Sequence, residues 1–211
     1  MPQNRFSRNE AQRFYDLLGE RYDWFSAYEG RAKAEALERL GLGAGQRVLN
    51  VGLGTGKEHQ KIQAKVGAEG RAFGLDLSAR MLAAAARRTR APLCQADGGR
   101  LPFATDSFER LYCAYVLDLV ERDDLPGWLG ELRRVLRPGG RLVVVSLTEG
   151  VDRTSRAFVA MWKAAYAISP ISCGGCRPLE LSGLAREAGF ERIDRKVVVQ
   201  LGIPSEVIAA E

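Results

Sequence analysis

The chain lacks the features that would place it in a membrane or outside the cell. No apolar run approaches the ~20 residues that a membrane-spanning helix needs. Residues 1–13 are polar and charged, so they do not resemble a secretory signal. Only four cysteines occur, and Cys94 and Cys113 fall in apolar, strand-like runs where reduced core thiols are expected. Together these absences predict a cytoplasmic protein.

Residues that build metal sites are also scarce. His59 is the single histidine, and it stands one turn into a predicted helix, pointing away or capping, which is a poor position for a catalytic base. Cys173 and Cys176 form a Cys-Gly-Gly-Cys pair, but zinc would need about two more ligands. A thioredoxin-like pair belongs at the first βα turn rather than after the fifth strand. We therefore predict no metal, and a loop that carries two thiols.

The charge balance gives little reason to expect a polyanionic partner. The formal net charge is +5, but the basic residues are scattered and acidic residues lie between them. No basic stripe interleaved with aromatics appears, which disfavours nucleic acid as a partner. With 46% apolar and 27% charged residues over 211 positions, the composition is that of one ordinary globular domain.

Strand-like and helical patterns alternate along the chain after a helical segment at 8–40. Such alternation predicts βαβ units and a parallel sheet. The link Gly202-Ile203-Pro204 is too short for a crossover helix, so the last two strands should form an antiparallel hairpin. The predicted strands are 47–51, 71–75, 92–96, 109–115, 141–147, 192–200 and 206–210, and the predicted helices are 57–66, 78–90, 123–136, 153–168 and 178–188.

A glycine-rich loop follows the first strand. Gly52, Gly54 and Gly56 stand at alternate positions before a helix, at the sheet edge where open α/β sheets bind ligands. The dinucleotide fingerprint would need its third glycine at position 57, which is Lys57. The spacing therefore disfavours a nicotinamide-dependent oxidoreductase.

Acidic residues end the next two strands. Asp76 lies at the end of the second strand, where a carboxylate could accept from two ribose hydroxyls. The alternative role is a helix N-cap, although Ser78 is better placed for that. Asp97, followed by Gly98, could accept from an adenine amino group, or it could simply form an Asp-Gly turn.

Four segments in order, 48–56, 74–82, 96–117 and 131–146, resemble the class I SAM-dependent methyltransferases. Within that class they are most similar to the ubiquinone/menaquinone-biosynthesis (UbiE-like) group. Together with the alternation and the short final link, the resemblance implies a Rossmann-like seven-stranded sheet. The expected order is 3-2-1-4-5-7-6, with strand 7 antiparallel and helices on both faces.

The resemblance also implies a site for S-adenosylmethionine (SAM), with S-adenosylhomocysteine (SAH) as product. Asn50 stands where the family usually carries an acidic residue, so an acceptor is kept but a charge attraction to the ammonium of SAM is lost. At the methionine part, Gly52 and Gly54 are expected to lie underneath, with Gly56 completing the loop, and Tyr22 and Tyr15 to lie over the carboxylate. At the nucleoside part, Asp76 is expected to contact the ribose, Leu77 and Met81 to lie beside the adenine, and Asp97 and Gly98 to lie at its amino group. Ala114 is expected near the cofactor backbone.

Two segments outside the sheet are expected to select the acceptor. One is a helical lid at 1–40, with Phe14, Tyr22, Trp24 and Phe25, and the other is an insert over the active site at 150–178. Their aromatic residues favour a small apolar or aromatic methyl acceptor that is quinone-like, lipid-like or phenolic. With a lipid or quinone acceptor, peripheral membrane contact is compatible with this prediction.

The candidate for a catalytic base is weak. Asp118 follows the fourth strand on the side where the methyl group should lie, but a helix N-cap or a solvent-facing position explains it as well. Without an obvious base, a non-catalytic protein that binds SAM or SAH remains an alternative.

Overall fold

The structure is a computed structural model that describes residues 6–211, with only the backbone described for residues 25–27. Within this part of the chain, seven strands form one mixed sheet in the order β3-β2-β1-β4-β5-β7-β6. The strands are β1 (Arg47–Val51), β2 (Arg71–Asp76), β3 (Leu93–Gln95), β4 (Phe108–Ala114), β5 (Leu136–Leu147), β6 (Ile193–Gln200) and β7 (Ile203–Ala210). The predicted order is confirmed.

The helical segment predicted at 8–40 is interrupted twice. Gly19, with φ +49°, ends the first helix, and a 3₁₀ turn separates this helix from the second. Another 3₁₀ turn separates the second helix from the third. Among the described residues, no helix is long and apolar enough to cross a membrane. The helices are α1 (Arg8–Leu18), α2 (Tyr22–Phe25), α3 (Gly30–Arg39), α4 (Lys57–Val66), α5 (Ala79–Ala86), α6 (Leu125–Val135), α7 (Arg153–Ile168) and α8 (Leu181–Glu187).

The antiparallel hairpin at the end of the chain is confirmed, but its link is shorter than predicted. β7 runs antiparallel to both β5 and β6. Leu201 and Gly202 make the whole turn, with φ of 53° and 79°. Positive φ at both central residues is typical of the two-residue turn that fits twisted strands. Ile203 and Pro204 therefore belong to β7 rather than to the link.

β5 begins earlier than expected. The hydrophobic pattern predicted a start at 141, whereas the strand includes Leu136, which pairs with Phe108 of β4. The register shifts between Phe108 and Arg110 to accommodate the extra residues. Pairing with a neighbouring strand thus extends β5 beyond its apolar run.

Both faces of the sheet are covered. On one face, α6 and α8 pack against residues such as Leu49 and Leu111. On the other, α3 and α4 pack against residues such as Val48 and Tyr112. Each fully buried leucine, isoleucine or phenylalanine contributes about 1.5–3 kcal/mol. The two cores hold the parallel strands in place and leave their carboxyl ends together at one edge.

His59 belongs to the second of these packed layers. It does not cap the helix: the side chain is completely buried, and neither ring nitrogen has a hydrogen-bond partner within the described part of the chain. Burial lowers the pKa of His59 to about 4.

This histidine should make stability depend on acidic pH. The pKa of His59 is about 4 in the folded protein and 6.5 in the unfolded chain. As the pH falls from 6.5 to 4, the unfolded chain therefore binds a proton that the folded protein does not. The free energy of unfolding decreases by up to about 3 kcal/mol over this range. We expect His59→Leu to remove this component. Urea unfolding at pH 7 and pH 4.5 measures it, and an equal loss of stability in the variant and the parent protein would contradict the assignment.

Candidate functional site

A cavity of about 410 Å³ opens at the carboxyl ends of β1, β2 and β4. Its volume falls in the ~300–1,000 Å³ range of small-molecule sites. All but one of the residues expected to bind SAM line this cavity. They are Tyr15, Tyr22, Asn50, Gly52, Gly54, Asp76, Leu77, Met81, Asp97, Gly98 and Ala114.

The glycine loop forms the floor of the cavity. The backbone N–H groups of Gly52 and Leu53 both donate to the carbonyl oxygen of Leu75, at 2.8 and 3.0 Å. Gly52 has φ +66°, and a Cβ atom there would lie 2.2 Å from Cγ2 of Val116. Only glycine lets the loop lie this flat, and the flat loop leaves room for a ligand above it.

Gly56 is the exception among the expected cofactor residues. It does not line the cavity; it precedes α4 with φ +85°, and a Cβ atom there would lie 2.9 Å from that of Ala85. Gly56 therefore permits α4 and α5 to pack closely, a role different from the predicted cofactor contact.

Asp76 holds two loops together at the cavity wall. Its carboxylate accepts from the N–H of Gly54 and from the N–H of Ser78, both at 2.9 Å. Burial raises the pKa of Asp76 to about 6, although these two hydrogen bonds oppose the rise. Ser78 accepts from the N–H of Met81, so its predicted role as the N-cap of α5 is confirmed.

Asp97 is shared between a turn and the first helix. One carboxylate oxygen accepts from the N–H of Gly99 at 2.9 Å, as in the Asp-Gly turn considered above. The other lies 2.5 Å from a guanidinium nitrogen of Arg8, at the start of α1. An adenine amino group would have to share this oxygen with Arg8 or displace it.

Polar contacts fasten α1 and α2 over the cavity. Ser78 donates to Asp16 at 2.5 Å. Asp23 accepts from the Thr55 hydroxyl at 2.6 Å and from Arg88 at 2.8 Å. Burial alone would raise the pKa of Asp23, but these two hydrogen bonds and the charges of Arg88 and Lys57 together hold the pKa below its usual range. The N-terminal helices are thus tied to the glycine loop and to α5.

Asp118 does not lie where a base for an acceptor in the cavity would be expected. It is absent from the cavity lining, and it is neither solvent-facing nor a helix N-cap. The side chain is completely buried and accepts from the N–H of Leu147 at 3.3 Å. Burial raises the pKa of Asp118 to about 7, partly offset by that hydrogen bond. The geometry therefore gives no support to its predicted catalytic role.

The aromatic residues of the lid and the insert divide into different roles. Tyr15 and Tyr22 line the cavity with their rings edge to face, 5.8 Å apart. Trp24 is 87% exposed, which is contrary to its expected place at the acceptor, and the side chain of Phe25 lies outside the described part. Phe14 packs towards Gly174 on the outer side of the lid.

The insert at 150–178 does not reach the cavity. None of its residues is among those that line it. Phe158 and Trp162 pack on each other, and the Trp162 indole donates to the carbonyl oxygen of Cys176 at 2.8 Å. In this structure the insert supports the lid from outside instead of covering the site directly.

Sequence reasoning missed several residues that line the cavity, among them Arg8, Lys33, Glu58 and Tyr115. Tyr115 follows β4 directly with φ +55°, a costly conformation for a residue with a side chain. Its hydroxyl lies 2.7 Å from that of Ser205. The adjacent Ala114 could have pointed to Tyr115, but no local pattern marks the other three.

Comparison with known proteins bears on this arrangement. A family model described as a methyltransferase domain matches residues 48–140. A demethylmenaquinone methyltransferase from Mycobacterium sp. (strain KMS) is 35% identical over 160 residues, which cover 74% of this chain and 66% of the relative. The chain therefore spans just under two thirds of the length of that relative.

Two further comparisons point the same way. A 2-phytyl-1,4-naphtoquinone methyltransferase from Thermosynechococcus vestitus is 29% identical over 76% of this chain and 79% of its own length. A solved SAM-dependent methyltransferase from Thermotoga maritima shares the fold, with a TM-score of 0.71 and 20% identity over 94% of this chain and 98% of that one. From the matched domain, the relatives and the strand order, the chain belongs to the class I SAM-dependent methyltransferases.

Proposed function

We propose that this chain binds SAM in the cavity and transfers its methyl group to a small apolar or aromatic acceptor that is quinone-like, lipid-like or phenolic. The observation that carries the proposal is the placement of Asp76 and Asp97 beside the flat glycine loop, under one lid. SAM supplies an activated methyl group on a sulfonium sulfur. The contribution of the protein is to position both partners and to exclude water.

The residues at the nucleoside end fit this ligand. Each oxygen of the Asp76 carboxylate accepts one backbone N–H, and a carboxylate oxygen has a second lone pair that could accept from a ribose hydroxyl. Leu77 and Met81 line the adjoining wall and offer apolar contact to an adenine ring. Asp97 provides an acceptor beyond them.

The acceptor is inferred from the remaining lining and from the relatives. Val116, Leu119 and Val120 follow β4 and contribute apolar surface to the cavity. The names of two relatives give demethylmenaquinone as the methyl acceptor in one case and 2-phytyl-1,4-naphtoquinone in the other. A reduced naphthoquinone is therefore the acceptor that we would test first.

Turnover with labelled SAM tests the proposal. We expect methyl transfer to an apolar or aromatic acceptor from a panel of reduced naphthoquinones, phenols and phospholipids, and little or none to small polar amines. Calorimetry with SAH on the same preparation separates the alternatives: binding without turnover on any acceptor would favour a non-catalytic protein that binds SAM or SAH. Absence of SAH binding would contradict the proposed function itself.

Asp76→Ala should weaken SAH binding on the order of a hundredfold. Two charge-assisted hydrogen bonds would be lost, each worth ~1.5–3 kcal/mol and partly overlapping. Because Asp76 also holds the loop, Asp76→Asn should be compared, since it keeps an acceptor towards Gly54 and removes the charge. Asp123→Ala, at an exposed carboxylate outside the cavity, is the matched control. A folded Asp76→Ala protein that binds SAH like the parent would show that the ribose assignment is wrong.

We also propose that residues 1–40 act as a lid over a single methyltransferase domain, although residues 1–5 lie outside the described part. The contacts of Asp16 and Asp23 close the lid in this structure, and a ligand beneath Tyr15 and Tyr22 should stabilise that state. We expect slower amide exchange in residues 8–25 after SAH is added. Exchange that is unchanged at saturating SAH would indicate a helix that is docked permanently.

A further inference from the structure

Three charged side chains form a cluster in the wall of the cavity. They are Glu29, at the start of α3, Lys33, one turn later, and Glu58, in the first turn of α4. Their side chains are 4%, 11% and 17% exposed, respectively. Lys33 and Glu58 line the cavity itself. Charges this well shielded from water interact strongly with a charged ligand group.

The cluster is not balanced internally. Lys33 Nζ lies 2.6 Å from a Glu29 oxygen and 3.9 Å from a Glu58 oxygen. The Tyr22 hydroxyl also donates to Glu29, at 3.1–3.2 Å. Glu29 is therefore well paired. The nearest cations to the Glu58 carboxylate are Lys33, at 3.9 Å, and the exposed Lys61, at 4.0 Å. Glu58 is thus the more loosely paired of the two carboxylates and can still accept from a ligand group.

A buried hydroxyl beside the cluster has no partner. Tyr112 lies on β4, is 2% exposed and lines the cavity, and its hydroxyl makes no hydrogen bond within the described residues. Leaving such a group unpaired is costly. Tyr112 on β4 pairs with Asn50 on β1, so both residues lie on the face of the sheet that α3 and α4 cover. A polar ligand group at this point would satisfy the hydroxyl.

We propose that Lys33 and Glu58 bind the amino-acid end of SAM, Lys33 through its carboxylate and Glu58 through its ammonium group. This inference rests on the proposed function. A zwitterion needs one cation and one anion close together, and Lys33 and the loosely paired Glu58 lie 3.9 Å apart in the cavity wall. The Tyr112 hydroxyl completes the polar wall.

Another charged pair in the lining, Asp23 and Lys57, is less suited to this role. Asp23 already accepts from Thr55 and Arg88 and lies 3.3 Å from Lys57. The Lys57 side chain is 48% exposed, so water screens its charge. The cluster around Lys33 is therefore the better place for a zwitterion.

The cluster also accounts for an amide at position 50. Asn50 lies in the cavity on the face of the sheet covered by α4, from which Glu58 extends. A carboxylate at position 58 supplies the negative charge that Asn50 lacks. A second carboxylate at position 50 would add repulsion next to two others.

Calorimetry with two probes tests this inference. SAH carries the amino-acid end, and 5′-methylthioadenosine lacks it. We expect Glu58→Gln and Lys33→Met to weaken SAH binding about tenfold each, the loss of one charge-assisted contact, and to leave methylthioadenosine binding unchanged. Lys65→Met, which removes an exposed charge from the last turn of the same helix, outside the cavity lining, is the control and should bind both probes like the parent.

A rescue variant makes the test specific. We expect Asn50→Asp combined with Glu58→Gln to recover SAH binding, because the carboxylate returns at a neighbouring position in the cavity. Circular dichroism checks that each variant is folded. If Lys33→Met does not fold, the test rests on the two variants that contain Glu58→Gln.

The outcomes separate this inference from the proposed function. A parent protein that binds neither probe overturns both. A parent that binds SAH, with Glu58→Gln binding SAH equally well or losing both probes alike, overturns the assignment of Glu58 and Lys33 and leaves the proposed function standing.

Discussion

The carboxylate of Asp76 connects the parts on which the site depends. It joins the glycine loop to the start of α5 through the N–H groups of Gly54 and Ser78. Ser78 in turn donates to Asp16 on the lid. One half-buried carboxylate thus fixes the glycine loop, the start of α5 and, through Ser78, the lid relative to one another. Its raised pKa reflects the burial that this central position requires.

The charges around the cavity are arranged in two groups. At the nucleoside end, Asp76 and Asp97 accept from backbone N–H groups, and Arg8 reaches Asp97 from the lid. At the opposite end, Lys33 lies between two shielded carboxylates. A ligand with polar groups at both ends would contact both groups and the apolar wall between them. The proposed SAM site accounts for this distribution, since the adenine amino group, the ribose hydroxyls and the zwitterionic amino acid follow one another in this order along that molecule.

Strained backbone marks the same region. Gly52 must be glycine, because φ is +66° and Val116 fills the space of a side chain. Tyr115 adopts φ +55° without that freedom, and its hydroxyl is held by Ser205 of β7. Conformations of this kind persist only where surrounding contacts compensate for their cost. The end of β4 is thus shaped by residues from β5 and β7 that are distant in sequence.

The amino-acid pattern alone was enough to predict the hairpin, the glycine loop and the place of Asp76 and Asp97, because period, spacing and strand ends are local properties. The order of the strands in the sheet is not local, and it was predicted with the help of the family resemblance. The pattern did not show that Gly56 lies outside the cavity lining or that His59 is buried, since contacts with Ala85 and with the sheet depend on how the helices pack. Long-range packing determines that Asp118 is buried outside the cavity lining and that Trp24 faces solvent. It also brought Lys33 and Glu58 together from two helices 25 positions apart, and a pairing across a packed interface leaves no periodic trace in the chain.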